Sequence, residues 1–460
     1  MNFRQFYLGC LAHASYYVGS ETEAVVIDPQ RDVQQYLDEA KANGQTIRYI
    51  IETHSHADFV SGHIELAGKT GASIVYGARA ETGFPTLKVF DGDELSIGSV
   101  TLKFLETPGH TPESITLVAN DASDPSAPPK MFTGDTLFCG DVGRPDLIGS
   151  QGFTSEQMGS MLYDSVREKI LKFPDETEIY PAHGAGSLCG RSLSSETWST
   201  LGAQRATNYA LRQMSKDEFI QLVTSDQPQV PAYFPKSAER NLAGPANVDD
   251  LPRPRVLSED EVANFDGIIL DVRPAAEFGA GHIPNAVNIG LSGKFATWAG
   301  TFIPVGTPLA IAAETQEQVE EAFMRLTRVG LDSVIRFVSM EEYEGERSSI
   351  EQVPATRINE LMNTGKGLQF VDVRQPGEYA AGHASGAINL PLNTLAENIE
   401  RLDPTRLTFV ICQTGYRSSL ATSLLENAGF ETVCNAAGGT SAWIESGFPI
   451  ESETLLQSSS

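Results

Sequence analysis

Residues 271–290, DVRPAAEFGAGHIPNAVNIG, recur as residues 372–391, DVRQPGEYAAGHASGAINLP. The offset of 101 residues keeps Asp271/Asp372, Arg273/Arg374, Glu277/Glu378, His282/His383 and Asn288/Asn389 in register. Self-similarity at such a period means two consecutive domains of one fold. Beyond the copies the sequences diverge. After the second, the strand-like LTFVI runs into Cys412-Gln-Thr-Gly-Tyr-Arg417 and the helical run SSLATSLLENAGF. After the first, PLAIA runs into Ala312, Ala313 and the acidic helical segment TQEQVEEAFMRL, with Glu317 near the place of Arg417.

Cys412 to Arg417 encloses four residues between a strand and a helix start. Backbone N–H groups of such a loop converge at the helix N-terminus and make an anion cradle. The cradle favours the thiolate of Cys412, the form that attacks sulfur, and the same donors suit a bound sulfite or thiosulfate. Arg417 adds a positive charge. Lacking both cysteine and arginine, the first copy is expected to be chemically silent and to space or dock its neighbours.

The N-terminal half alternates strands with helices. AVVIDP, RYIIETH, TLKFLETPGH, SITLVAN, KMFTGD and TEIYPAH are short β-rich runs, and four of them end in His or Asp. Residues at strand ends converge where a sheet meets its loops. Residues 225–256 carry Pro228, Pro231, Pro235, Pro245, Pro252 and Pro254 in a polar background and are expected to form an extended linker. The domain boundaries read as 1–245, 255–345 and 355–455.

Composition narrows the partners. Thirty-three basic against 60 acidic residues give a formal charge of −27, which argues against nucleic acid and anionic membranes, both bound through positive surface. No basic-plus-apolar leader and no bilayer-length apolar run is present, so a soluble, cytoplasmic chain is expected. The five cysteines, Cys10, Cys139, Cys189, Cys412 and Cys434, show no CxxC spacing and read as free thiols.

Thr53-His54-Ser55-His56-Ala57-Asp58-Phe59 follows RYIIE directly. Two histidines at i and i+2 with a carboxylate two further on can offer nitrogen and oxygen ligands to one side of a loop. His110 in TPGHT, Asp135 in FTGD and His183 in YPAHG each follow another strand. Together they point to a metal. Arg144, nine residues past Asp135, reads either as a bidentate partner for a carboxylate of a thiol carrier or as a surface arginine. Cys189, six residues past His183, reads either as a sulfur-capture or relay group or as a buried free thiol.

H-x-H-x-D, TPGHT, FTGD and PAHG in this order resemble the metallo-β-lactamase superfamily, which implies an αββα sandwich with metal at one edge of its two sheets. The usual motif continues Asp-His; Phe59 stands here instead, and the second metal position is expected to be lost. The segment is most similar to the persulfide dioxygenase branch. That resemblance implies one iron(II) per chain held by His54, His110 and Asp135, with His56, Asp58 and His183 behind them orienting ligands or substrate. A two-histidine, one-carboxylate face leaves about three positions open on an octahedral ion, room for a sulfur substrate and O2 together.

Residues 355–455 resemble a single-domain rhodanese, with Cys412 and Arg417 as catalytic residues, and residues 255–345 a degenerate one. The fold class implied is multidomain α/β: the sandwich, then two rhodanese-like α/β domains with parallel sheets. The whole resembles persulfide dioxygenase–rhodanese fusions. This implies oxidation of a low-molecular-weight persulfide with O2 to sulfite, transfer of sulfane sulfur to sulfite to give thiosulfate, and a homo-oligomer, dimer or tetramer. The rival reading is a glyoxalase II-like zinc thioester hydrolase with appended rhodanese domains.

Overall fold

The computed structural model describes residues 1–147, 152–191, 193–225, 227, 229–364 and 367–452. Six strands, β1 (Asn2–Leu8), β2 (His13–Ser20), β3 (Glu23–Ile27), β4 (Thr46–Ile51), β5 (Ser73–Gly77) and β6 (Leu87–Val89), form one sheet in sequence order. A second sheet takes β7 (Glu94–Ile97), β8 (Val100–Glu106), β9 (Ile115–Asp121), β10 (Lys130–Gly134), β11 (Glu178–Pro181) and β12 (Ser199–Thr200), again in sequence order. The strands bury both faces. In β2, Ala14, Tyr16 and Val18 join Val25, Ile51, Leu102, Phe104, Leu117 and Phe132 in the core between the sheets, while Tyr17 packs outward with Val26, Tyr36 and Leu66 under a helical layer. Alternation along a strand assigns successive side chains to the two faces. The far side of the second sheet is covered through Val118, Met131, Leu162 and Phe219. This is the αββα sandwich.

The chain forms one compact unit of Met1–Leu251 with Thr327–Gly330 and a second of Pro252–Leu326 with the residues from Leu331 on. The second unit carries two parallel five-stranded sheets. One runs β13 (Arg255–Val256), β17 (Val334–Ser339), β16 (Leu309–Ala313), β14 (Ile268–Asp271), β15 (Val287–Asn288). The other runs β18 (Glu351–Pro354), β23 (Val433–Ala437), β22 (Thr408–Ile411), β19 (Gln369–Asp372), β21 (Ile388–Asn389). Strand order is the same in both. The short β20 (His383–Ala384) pairs with β24 (Ile450–Glu451) apart from the main sheet.

The repeated residues make the same bonds twice. Arg273 Nη2 donates to Asp271 Oδ2 at 2.6 Å and to Gly281 O at 2.9 Å; Arg374 Nη2 donates to Asp372 Oδ2 at 2.7 Å and to Gly382 O at 2.8 Å. Asn288 Nδ2 and Asn389 Nδ2 each bridge the carbonyls of the Asp and Arg of their own repeat. A buried Asp–Arg pair is tolerated when its remaining polar atoms are bonded, and here the carbonyls complete it. The shared motif therefore builds scaffold.

One expectation is corrected. Within the segment read as an extended linker, Phe234–Ala243 is a helix with Pro235 in its first turn, where a missing N–H costs nothing. Its Asn241 is buried and donates to the carbonyls of His56 and Phe59, both at 2.8 Å, while accepting from Ser61 N at 2.9 Å. The helix buttresses the His56–Phe59 loop. Pro228 lies outside the described residues.

Candidate metal centre and sulfur-transfer loop

The loop Thr53–Phe59 leaves the end of β4 and is anchored by a carboxylate the sequence reading did not single out. Asp28, just past β3, accepts from Thr53 N at 2.7 Å and from Thr53 Oγ1 at 2.9 Å. With its only proton given to Asp28, the Thr53 hydroxyl accepts from His54 Nδ1 at 2.9 Å. The Nε2 lone pair of His54 is thereby left for a ligand. Gly134, at φ +50°, permits the close approach: a Cβ there would lie 2.6 Å from Thr53 Oγ1.

His110 is treated alike. Its Nδ1 donates to Arg144 O at 2.9 Å, freeing Nε2. Asp135 gives Oδ1 to His183 Nδ1 at 2.7 Å and keeps Oδ2, which lies 3.7 Å from His54 Nε2 and 3.4 Å from His110 Nε2. One ligand atom from each of His54, His110 and Asp135 falls within 4.8 Å of the others. Both His54 Nε2 and Asp135 Oδ2 are buried without a hydrogen-bond partner. An orphaned buried carboxylate oxygen among imidazoles costs several kcal/mol by itself, so the donor set fits a cation. Each histidine also shows the carbonyl or hydroxyl partner on its other nitrogen that metal-bound imidazoles carry.

Electrostatics sort the remaining groups. Burial alone would lower His183, but Asp135 and Asp58 flank it and hold its pKa well above the usual histidine range. It lies between two carboxylates, with Nε2 2.8 Å from Asp58 Oδ2. Burial opposes the Asp135 charge too, yet His183 and His54 keep that carboxylate ionised. Burial pushes His56 down to about 3. Its Nε2 lies 3.2 Å from Asp28 Oδ1 and 3.5 Å from Glu52 Oε2, away from the His54–His110–Asp135 set. Phe59, 1% exposed, packs against the rings of His13 and His56 at 4.1 and 4.5 Å. Burying such a ring is worth about 1.5–3 kcal/mol.

Of the two readings of Arg144, the surface arginine is corrected: the residue is 1% exposed. Its guanidinium is buried and bidentate on Asp146, with bonds of 2.7 and 2.6 Å, and donates to Leu188 O. The residue also reaches the centre through its carbonyl, which holds His110 Nδ1. Cys189 is brought within 4.8 Å of Asp58 and His183 ligand atoms. Burial first, then Asp58 and Asp135, raises its thiol well above the usual range, so it stays protonated at neutral pH. Sequence reasoning passed over His13, Asp28 and Glu52. Asp28, next to last in AVVIDP, directly follows a strand as the motifs that were read do, the one available signal.

A cavity of about 570 Å³ opens on this centre; His110, Ser55, Thr111 and Glu113 line it on the metal side and Phe234 and Leu242 on the other. It gives a small organic molecule access to the ligand face.

In the second unit, Cys412 follows β22 and is 1% exposed. Its Sγ accepts from Gly415 N at 3.2 Å and from Ser418 Oγ at 3.3 Å. Behind it Gly439, at φ +60°, lets Thr440 N reach Cys412 O at 2.8 Å; a Cβ on Gly439 would sit 2.3 Å from that oxygen. Arg417 grips both oxygens of Glu378 at 2.7 Å. The first repeat differs in the same place. Asp372 pairs with Ile411 and Asp271 with Ala312, which sets Ala313 opposite Cys412 and Gln318, not Glu317, opposite Arg417. Gln318 Oε1 accepts from Glu314 N at 2.9 Å and Thr315 N at 3.3 Å, filling the degenerate loop with its own amide.

Residues 8–183 match the Metallo-beta-lactamase superfamily, and residues 257–340 and 355–446 each match the Rhodanese-like domain. The chain is 33% identical over 236 residues to the mitochondrial persulfide dioxygenase ETHE1 of Bos taurus, covering 49% of this chain and 78% of that protein. The chain belongs to the metallo-beta-lactamase superfamily. Two rhodanese-like domains follow its metallo-beta-lactamase domain. It is also 32% identical over 166 residues to a hydroxyacylglutathione hydrolase of Prochlorococcus marinus, covering 35% of this chain and 61% of that protein. Among solved structures, a metallo-beta-lactamase from Staphylococcus aureus superimposes with a TM-score of 0.68 at 33% identity, over 73% of this chain and 99% of that one. The family is one of metal-binding enzymes. Among the described residues no helix is long and apolar enough to cross a membrane.

Proposed function

We propose that the chain oxidises the outer sulfur of a low-molecular-weight persulfide to sulfite in its N-terminal domain and transfers sulfane sulfur at Cys412 to sulfite, giving thiosulfate. The observation that carries the first half is the set of two histidines and one carboxylate opening on a cavity; Phe59, which stands where the superfamily motif has a histidine, is buried against His13 and His56 and offers no ligand atom. One iron(II), held by His54, His110 and Asp135, would supply binding and activation of O2 and of the persulfide sulfur. The protein groups hold this set in order: Thr53 and the Arg144 carbonyl fix the two imidazoles, and His183 holds Asp135 Oδ1 so that Oδ2 turns inward. Persulfide, O2 and water then balance to thiol, sulfite and two protons.

At the second site the Cys412 thiolate attacks the outer sulfur of another persulfide, the S–S bond breaks and the carrier leaves as its thiol. Sulfite attacks the sulfur now on Cys412, thiosulfate departs and the thiolate returns. The similarity to persulfide dioxygenase ETHE1 and the intact cysteine loop support this sequence. His54→Ala or Asp135→Ala is expected to remove bound iron and persulfide-dependent O2 uptake, while transfer from thiosulfate to cyanide continues. Iron content and an oxygen electrode check it. Two zinc ions per chain with thioester hydrolysis and no O2 uptake would favour the hydrolase reading instead.

A further inference from the structure

The metal-side wall of the N-terminal cavity carries two buried polar groups that the ligand set does not use. Glu113, three residues past His110, is 8% exposed, and its Oε1 accepts from Ser55 N at 3.0 Å, beside His54. Its Oε2 has no hydrogen bond among the described residues. Ser55 is 5% exposed, and its Oγ is also without a partner. Both side chains line the cavity that opens on His110.

The charge around them has one sign. Glu81 and Glu239 line the same cavity from exposed positions, and no described lining residue is Lys or Arg. Two lysines stand near. Lys236 pairs with Glu239 at 2.9 Å. Burial lowers the pKa of Lys88 while Glu113 and Glu81 raise it, and its Nζ donates to Ala80 O without bridging either carboxylate. A buried carboxylate favours a donor or a cation on its second oxygen. An ammonium is both, and its three N–H donors suffice for Glu113 Oε2 and Ser55 Oγ together.

Resting on the reading that this cavity receives the persulfide, we propose that Glu113 and Ser55 bind an ammonium group of the thiol carrier, so that the substrate class is the persulfide of a small aminothiol. The carrier then turns its sulfur toward the face where His54, His110 and Asp135 converge and its ammonium toward Glu113. Carriers with a phosphate or a carboxylate in that place meet a like charge and are disfavoured.

Cysteamine and 2-mercaptoethanol differ in an ammonium for a hydroxyl at the same position. Binding of the two thiols is measured by calorimetry on the full chain loaded with iron(II) in the absence of O2, and KM for O2 uptake is measured with their persulfides. The unsubstituted chain should favour the cysteamine form by about tenfold in both Kd and KM, equivalent to about 1.4 kcal/mol. Glu113→Gln keeps an oxygen for Ser55 N and removes the charge, and should bring the two forms within about twofold of one another. Thermal melts and iron content check that the variant is intact; the comparison in the unsubstituted chain needs no variant. Equal affinity for the two thiols there, or a preference that survives Glu113→Gln in a folded protein, overturns the proposal. If neither persulfide supports O2 uptake, the dioxygenase reading falls, while the calorimetry still decides whether Glu113 binds an ammonium.

Discussion

The two rhodanese-like repeats share a sheet order and an Asp–Arg–Asn network bond for bond, yet they differ in what fills the loop after the central strand. In the second, Cys412 stands in the loop with Gly415 N and Ser418 Oγ on its sulfur, and Arg417 is paired with Glu378. In the first, Ala313 takes the position of the nucleophile and the Gln318 amide takes up the N–H groups of Glu314 and Thr315. Glu277, the counterpart of Glu378, has lost its guanidinium; burial and then the nearby Glu314 raise its pKa, whereas Arg417 lowers that of Glu378. Conserved scaffold and conserved chemistry are therefore separable. The bonds that hold a parallel sheet and its crossovers survive the loss of the loop because they lie in a different part of the repeat.

The largest expected break of this contrast is Cys412→Ser. A serine hydroxyl does not carry sulfane sulfur near neutral pH, and sulfur transfer should fall by roughly a thousandfold or more. Persulfide-dependent O2 uptake should continue, with sulfite replacing thiosulfate as product by ion chromatography. Thiosulfate as the main enzymatic product would assign transfer elsewhere.

A smaller effect is expected from repairing the silent repeat. In the Cys412→Ser background, Ala313→Cys alone should recover no more than about a tenth of the lost activity, since the loop donors remain satisfied by Gln318 and the anion has no cradle. Adding Gln318→Arg should raise the rate above that of the single change. Equal rates for the two would show that the amide plug is not what silences the repeat.

The smallest effect belongs to the paired glutamates. Lowered by Arg417, Glu378 contributes stability that is complete above about pH 4.3 and is lost as pH falls through its folded value. Glu378→Gln should destabilise the chain by up to about 1 kcal/mol at pH 7, as befits a partly exposed pair, and the difference should close under acid conditions. Glu277 has the opposite sign: its cost appears as pH rises past about 4.3, so Glu277→Gln should stabilise at pH 7. Urea titrations at both pH values check the pair. A common sign for the two variants would contradict the comparison.

Read from residues alone, the repeat, the Cys412 loop and the His54, His110 and Asp135 motifs were legible because each is a local pattern: a period, a strand end, a turn. His13 and Glu52 were not, since nothing in their neighbourhoods announces the partners they meet, and Asp28 offered only its place after a strand; Asn241 had no signal at all, its bond to the His56 carbonyl spanning 185 residues of sequence. Prolines at 228–254 suggested an extended chain, but a proline in a first turn is compatible with a helix, and buried Phe234 and Asn241 show that the segment packs on the site.

Sequence by itself determined the kinds of domain, their order and the residue types able to bind a metal or carry sulfur, because those follow from periodicity and from side-chain chemistry. Tertiary structure decided which of those residues meet. Strand pairing placed Ala313 and Gln318, not Ala312 and Glu317, at the positions equivalent to Cys412 and Arg417, and bonds from Asp28 to Thr53, which holds His54, and from His110 to the Arg144 carbonyl left the second nitrogens of His54 and His110 toward Asp135. Register and burial are properties of chains brought together in space, and a one-residue shift or one distant carboxylate changes the chemistry of a group whose sequence neighbours stay the same.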